Sequence, residues 1–192
     1  MIMTIGLEPD LKLVERLTFL QEDLGKILTH RGADSRWCRP EYITLPLLYI
    51  GQQEDDAVPE IAKIMAEVGR EVSPFSMEVA GISAMPAPAC PRLIEVGIAS
   101  GKDYVEALHE RLAKAFSMAN FASDRRPYRA TILLGRTVTY TDRVDLTDAI
   151  EAIGNLNFGK TDVFEMVLCG AELLDSRPVH RVLARCDFSA SQ

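Results

Sequence analysis

Apolar residues recur along the chain in two alternating patterns, one typical of helices and one typical of strands. Residues 9–28 carry apolar side chains at three- and four-residue spacing, which predicts a helix packed on one face. Residues 102–120 repeat this pattern in the second half, and a shorter helix is predicted over residues 58–69. Each half of the chain therefore contains one long helix with a single apolar face to bury.

Short apolar or alternating runs separate the helices and predict strands, and a short helix is expected from Asp142 towards Ile153. In each half a long helix precedes a strand that begins Arg-Pro-x-x-x-Thr, which indicates a weak internal duplication. We therefore expect two similar α+β lobes around a central cleft, within one domain that spans residues 1–192. The predicted strands are residues 3–7, 37–38, 42–50, 75–84, 92–99 and 128–136, followed by a closing hairpin of residues 162–174 and 179–188.

The composition is that of a folded globular protein and limits the classes of partner. Hydrophobic residues make up 47% of the 192 residues and charged residues 26%, enough for a sizeable core. The net charge of −7 argues against a general polyanion binder but allows a small local basic site. No apolar run is long enough to span a bilayer, and the first residues lack the basic region of a signal peptide. We expect a cytoplasmic protein without a membrane partner.

The four cysteines are far apart in the sequence and form no C-x-x-C pair. Zinc sites usually draw on such closely spaced ligands, so the spacing predicts reduced thiols and no metal site. Nothing in the sequence calls for a cofactor. The cysteines are Cys38, Cys90, Cys169 and Cys186.

Two strand segments, residues 39–51 and 126–136, resemble the signature segments of one enzyme family. They are similar to those of the bacterial RNA 2′,3′-cyclic phosphodiesterases, the LigT-like (2′-5′ RNA ligase) branch of the 2H phosphoesterases. Further landmarks follow in the family's order, including the Met85-Pro86 turn, Phe121 and the ending at residues 182–185. The resemblance implies an α+β, two-lobed fold with two mixed or antiparallel sheets around a central cleft and helices outside.

The resemblance also places the family's two His-x-Thr motifs on this chain, where neither is intact. The histidines fall on Thr44 and Thr131, and the motif threonines fall on Pro46 and Leu133. In the family the histidines act as general base and general acid on a cyclic phosphate, which the threonines hold. A threonine hydroxyl cannot exchange protons near pH 7 as an imidazole does, and Pro46 and Leu133 offer no side-chain hydrogen bond. We therefore predict no catalytic residues for the family's mechanism.

Arginine and aromatic residues beside these positions survive and form the predicted ligand site. A guanidinium can hold a phosphate, and an aromatic ring can stack on a base. The same residues could instead be solvated or part of the core, and Pro46 and Leu133 make the cleft more apolar than a phosphate site. A proline inside a strand also predicts an edge strand or a bulge there. The predicted ligand-binding residues are Arg39, Tyr42, Thr44, Tyr128, Arg129, Thr131 and Arg136.

Three functions stay open at this point. The leading hypothesis is an inactive 2H phosphoesterase homologue that binds a nucleotide, an RNA 3′ end with a cyclic phosphate, or a protein partner. The second is an active phosphodiesterase or ligase with rearranged catalytic residues; the three histidines that could serve it are His30 in a loop, His109 on a helix and predicted to face solvent, and His180 in the last hairpin. The third is a regulatory interaction protein whose cleft has collapsed.

Overall fold

The computed structural model describes residues 1–121, 126–138, 144–174 and 177–190. Four α-helices occur in these ranges: α1 (Leu11–His30), α2 (Val58–Gly69), α3 (Lys102–Met118) and α4 (Thr147–Ile153). The strands are β1 (Ile2–Leu7), β2 (Asp34–Trp37), β3 (Leu45–Gln52), β4 (Phe75–Met85), β5 (Leu93–Ser100), β6 (Thr131–Val138), β7 (Asn157–Val163), β8 (Glu165–Leu174) and β9 (Arg177–Asp187).

The strands form two antiparallel sheets that mix the two halves of the sequence. The four-stranded sheet has the order β3-β1-β8-β9, so strands from both ends of the chain lie side by side. The five-stranded sheet has the order β2-β6-β5-β4-β7. The two motif segments therefore enter different sheets, the first leading into β3 and the second into β6.

The helices cover the sheets on their apolar faces, as their stripes predict. Helix α1 packs on β2, β6 and β7 of the five-stranded sheet, whereas α2 packs on β8 and β9. Helix α3 packs on β3 and α2, and α4 packs on β4. Buried apolar residues of both sheets and all four helices form one continuous core. The α+β architecture with two antiparallel sheets and outer helices is thus confirmed.

A buried glutamine on α1 ties the residue just before the first motif segment to the second motif strand. Gln21 is 4% exposed, and its Nε2 donates to the carbonyls of Cys38 (3.0 Å) and Leu134 (2.8 Å). Beside it, a Cβ at Gly135 would lie 2.5 Å from the Trp37 ring, so only glycine fits this approach. The chain just before β3 is therefore held against β6.

Several predicted boundaries differ from the structure, including those of β6, which begins at Thr131 rather than at residue 128, and of β2, which spans Asp34–Trp37 rather than residues 37–38. The segment predicted as one strand over residues 162–174 is two strands, because the chain switches sheets at the exposed Phe164: β7 pairs with β4, and β8 pairs with β1 and β9. The first motif strand begins at Leu45, since Pro40–Tyr42 form a 3-10 turn with proline at its first position. The short helix begins at Thr147, and the predicted start at residues 142–143 lies outside the described residues.

Within the described ranges, every helix is too short or too polar to cross a membrane.

Candidate functional site

The first motif segment reaches the surface at the edge of the four-stranded sheet. Thr44 is half-buried immediately before β3, and Pro46 is exposed on it. β3 is an edge strand, and its ladder shifts where Gly6 pairs with Pro46, so the prediction that this proline marks an edge or bulge is confirmed. The extra residue at the shift is Leu47, and both Leu47 and Leu48 are buried. Strict alternation along the strand would put Leu48 on the same face as Thr44 and Pro46, and the extra residue turns it into the core instead.

A cavity of about 330 Å³ lies over the face of this sheet that is turned away from the core. Its volume is at the lower end of the range for small-molecule sites. The wall residues come from β1, from the segment before β3, and from β8 and β9. Those with functional side chains are Thr4, Tyr42, Thr44, Cys169, His180 and Arg181.

His180 lines this cavity, although it was not among the predicted ligand-binding residues. Its ring stacks on Tyr42 with centroids 4.4 Å apart and an interplanar angle of 23°, and the guanidinium carbon of Arg39 lies 5.9 Å from the same tyrosine ring. Burial lowers the pKa of His180, so its neutral form, which can accept a proton, is favoured in the folded protein. The only signal was the register of the last hairpin, which sets His180 opposite Ala171 of the cavity wall.

Two acidic residues that line the cavity are each paired with an arginine. Glu8 and Glu41 both line it, and each has an arginine partner: Arg185 lies 2.7 Å from Glu8, and Arg39 lies 3.7 Å from Glu41. Burial, and then the charge of Glu8, raise the pKa of the Cys169 thiol. The cysteine is therefore protonated at neutral pH, which argues against a thiolate nucleophile in this cavity.

Side chains of the second motif strand alternate between a buried face and a half-buried face. Ile132 and Leu134 are buried, whereas Thr131 and Leu133 are half-buried on the opposite face. On the neighbouring strand β5, Glu95 pairs with Leu133 across the ladder. Glu95 is thus an acidic group beside a motif position, and its sequence context within an apolar strand gave no sign of it.

Tyr128 joins the two motif segments. Its hydroxyl donates a hydrogen bond of 2.9 Å to the carbonyl of Pro46, and its ring stacks on His109 with centroids 3.9 Å apart and an interplanar angle of 8°. His109 Nδ1 donates to the carbonyl of Leu47 at 2.7 Å. Burial, and then the charge of Glu106, raise the pKa of Tyr128 strongly. The prediction that His109 faces solvent is wrong, because α3 packs on β3 at this point.

The predicted ligand residues fall into two groups and one outlier. Tyr42 and Thr44 line the cavity on the four-stranded sheet, with Arg39 next to the Tyr42 ring, whereas Tyr128, Arg129 and Thr131 lie at or just before the start of β6 in the five-stranded sheet. The outlier is Arg136, exposed five residues further along β6, where it pairs with Arg36 of β2.

Two further features lie apart from these groups. A larger cavity of about 610 Å³ lies between α3 and the chain entering β4, where Phe75 stacks on Tyr104; it contains none of the predicted site residues. Of the residues that the structure describes, no three His, Cys, Asp or Glu side chains cluster as metal ligands would. Arg125, a basic neighbour of the second segment, lies outside the described ranges.

No family model matches the chain. In sequence it is similar to curated proteins named RNA 2′,3′-cyclic phosphodiesterase. The relative from Aeropyrum pernix is 21% identical over 179 residues, covering 93% of this chain and 98% of the relative. The relative from Thermotoga maritima is 24% identical over 163 residues, covering 84% and 83%.

Solved structures share the fold over the whole chain. The crystal structure of TT0787 from Thermus thermophilus superposes with a TM-score of 0.80 at 18% identity, covering 100% of both chains. That of Escherichia coli LigT complexed with 3′-AMP superposes with a TM-score of 0.75 at 12% identity, covering 98% of both chains. The resemblance to the LigT-like 2H phosphoesterases is thereby confirmed: the chain is similar in sequence to RNA 2′,3′-cyclic phosphodiesterases and shares the fold of LigT.

Proposed function

We propose that the protein is a nucleotide-binding relative of the 2H phosphoesterases that lacks the family's His-x-Thr chemistry. The observation that carries this proposal is the placement of Thr44 in a walled cavity beside the Tyr42–His180 stack. Crystal structures of E. coli LigT are complexed with 3′-AMP, NADP⁺ and ATP, which supports a nucleotide as the ligand class for this chain. An RNA 3′ end with a cyclic phosphate belongs to the same class.

The groups at the motif positions support binding better than catalysis. Neither Thr44 nor Thr131 can act as a proton donor and acceptor near neutral pH, and losing one such group costs roughly 10²- to 10⁴-fold in rate. Leu133 supplies no hydrogen bond, and the carbonyl of Pro46 is already engaged by Tyr128. Arg39, Arg129 and the aromatic ring of Tyr42 are the groups left to hold a phosphate and a base.

Titration with adenosine 2′,3′-cyclic phosphate, followed by calorimetry and by NMR, tests the proposal. We expect saturable binding with shifts at Thr44, Tyr42 and Arg129, and weaker binding by Thr44→Ala and Arg129→Ala. Tyr104→Ala is a matched control, because this exposed tyrosine stacks on Phe75 at the larger cavity. Shifts confined to that cavity, or no binding of any nucleotide, would contradict the proposal and favour a protein partner or a collapsed cleft.

A second candidate function is an active phosphodiesterase or ligase with rearranged residues. The observation that favours it is His180, an imidazole in the same cavity as Thr44. This function predicts turnover of a cyclic-phosphate oligonucleotide that His180→Ala abolishes and Thr131→Ala leaves intact. Absence of turnover in the wild-type protein would rule it out.

Restoring the motif tests whether the cleft keeps the family's geometry. We expect Thr44→His, Pro46→Thr, Thr131→His and Leu133→Thr, combined in one variant, to create measurable phosphodiesterase activity. The double variant Thr44→His with Thr131→His is the control, since it restores the proton-transfer groups without the phosphate donors. A folded but inactive quadruple variant would count against a preserved site.

A further inference from the structure

One wall of the larger cavity is a face of α3. Tyr104, Ala107, Leu108 and Arg111 line it at the three- and four-residue spacing that puts side chains on one side of a helix. Residues 71–76, which join α2 to β4, form the facing wall. From Tyr104 to Arg111 the helix rises about 10 Å, since each residue adds about 1.5 Å. A peptide of about three residues in extended conformation covers the same length.

Three stacked rings support one end of this wall. Phe188 is buried, Phe75 stacks on it with ring centroids 6.1 Å apart, and Tyr104 stacks on Phe75 with centroids 5.5 Å apart. Tyr104 is the outermost ring and is 59% exposed. Because Phe75 already holds one side of the ring, a partner that binds Tyr104 orders little additional side chain. Aromatic residues dominate the affinity of many protein interfaces in this way.

Carboxylates surround this aromatic stack. Glu71 lines the cavity, and Asp103 precedes Tyr104 in the first turn of α3. Asp162 accepts a hydrogen bond from the hydroxyl of Ser76, which is part of the cavity wall. All three acidic residues are exposed. The groups that an incoming side chain meets here are therefore aromatic or negatively charged.

Two cations near the cavity are already paired. Arg111 Nη1 donates to the carbonyl of Glu71 at 3.2 Å and lies 3.4 Å from its carboxylate. Lys102 lies 3.5 Å from Glu106, one turn further along α3. The other two carboxylates take part in none of the ion pairs among the residues that the structure describes. Their charge is therefore left to attract a cation from a partner.

The exposure of the walls favours a peptide over a small molecule. The side chains of Glu71 and Arg111 are 73% and 50% exposed, so the cavity is a groove open to solvent. Small-molecule sites usually bury about 70–90% of their ligand, which an open groove does not do. A peptide in extended conformation needs contact on one side only, because its alternate side chains point away from the groove.

We propose that the larger cavity is a docking site for an extended segment of a partner protein that carries an arginine or lysine beside an apolar residue. The cation lies over the Tyr104 ring and next to Asp103, where cation–π attraction and the negative charge act together. The apolar side chain covers Ala107 and Val72, which line the cavity. This inference goes beyond nucleotide binding and does not depend on it, because the larger cavity contains none of the predicted ligand residues.

Selection from a library of displayed random peptides tests the inference. The library is first depleted on Tyr104→Ala protein, which removes peptides that bind other surfaces, and is then selected on the wild-type protein. We expect the enriched peptides to share a basic residue close to an apolar one. The strongest of them, synthesised and measured by calorimetry, should bind Tyr104→Ala at least about tenfold more weakly. Tyr104→Phe keeps the ring and should bind it about as tightly as the wild-type protein.

Charge variants and matched controls complete the test. Asp103→Asn should weaken binding of the same peptide about two- to threefold, and added salt should weaken it in the wild-type protein, as is usual for exposed charges. Phe19→Ala and Asp34→Asn are the controls, because both residues are exposed and lie elsewhere, on α1 and on the far edge strand β2. Both controls should leave the affinity unchanged.

Several results would overturn this inference. They are enrichment of no peptide, enrichment of acidic or uncharged peptides, and an affinity that Tyr104→Ala does not change. Displacement of the peptide by adenosine 2′,3′-cyclic phosphate would also overturn it, since the peptide would then lie in the cavity on the four-stranded sheet. Nucleotide binding is measured separately through Thr44 and Arg129, so failure of one proposal leaves the other standing.

Discussion

Each motif segment carries a tyrosine that stacks on a histidine, and the two stacks differ in what surrounds them. Tyr128 and His109 are nearly parallel, and each donates a hydrogen bond to a carbonyl of β3. Tyr42 and His180 are tilted by 23° and line the cavity on the four-stranded sheet. The same pair of side chains thus joins two elements in one place and forms the wall of a candidate ligand site in the other.

The difference follows from the element that brings each histidine. His109 lies on α3, where the preceding residue Leu108 and Leu112 in the next turn are buried in the core. Its ring is therefore fixed against β3. His180 lies on β9, the last strand of its sheet, where side chains on the outward face are exposed. The neighbouring elements therefore decide whether a tyrosine–histidine stack is packed inside the fold or is accessible to a ligand. The chemistry of the two side chains is the same in both places.

Among the variants that test this difference, Tyr128→Ala is expected to change the free energy of unfolding most. The substitution removes a half-buried ring, its stack on His109 and the hydrogen bond to Pro46, so we expect a loss of about 3 kcal/mol in the free energy of unfolding. Urea denaturation measures it. Tyr42→Ala is the matched control and should cost under about 1 kcal/mol. Similar losses for the two variants would mean that the stacks are equivalent.

The converse experiment asks which tyrosine a nucleotide needs. Tyr42→Ala should weaken binding of adenosine 2′,3′-cyclic phosphate by about tenfold or more, since base stacking on an aromatic ring contributes about 1–3 kcal/mol. Calorimetry measures the dissociation constant, with Tyr104→Ala as the control for a general effect of losing an exposed tyrosine. An unchanged affinity would remove the Tyr42–His180 stack from the proposed site.

A more conservative substitution at Tyr128 separates the contribution of its hydrogen bond from that of its ring. Tyr128→Phe keeps the ring and its stack but leaves the Pro46 carbonyl without its donor, and a typical hydrogen bond contributes about 1 kcal/mol. Urea denaturation should therefore show about a third of the loss caused by Tyr128→Ala. A loss as large as that of the alanine variant would assign the whole effect to the hydrogen bond.

The smallest expected effect concerns the charge of His180. Because burial lowers its pKa in the folded protein, the unfolded chain binds the proton more readily. The resulting stability is present above the ordinary histidine pKa of 6.5 and is lost as the pH falls through the lower folded-state pKa. NMR titration should place the midpoint of His180 below 6.5, and His180→Gln should flatten this part of the stability profile. A midpoint above 6.5 would show that a nearby anion governs the imidazole.

Local features of the sequence predicted much of the fold, and they placed two of the predicted ligand residues on segments that line one cavity. The apolar stripes of α1 and α3 follow from helical spacing, and Pro46 marked an edge strand because it lacks a backbone donor. Arg39, Tyr42 and Thr44 were among the predicted ligand-binding residues; Tyr42 and Thr44 line one cavity, and the guanidinium carbon of Arg39 lies 5.9 Å from the Tyr42 ring. Each of these inferences needed only residues within a few positions of one another.

Short-range periodicity and the order of residue types are enough to predict the helices, the strand character of the two motif segments and the family resemblance. The three-dimensional fold was needed to show that His180 lines the same cavity as Thr44, that His109 is held against β3, and that Glu95 pairs with Arg129. These contacts depend on strand register and on which sheet each strand enters. Both are set by pairing between residues far apart in the chain, and a shift of one residue would turn each side chain to the other face.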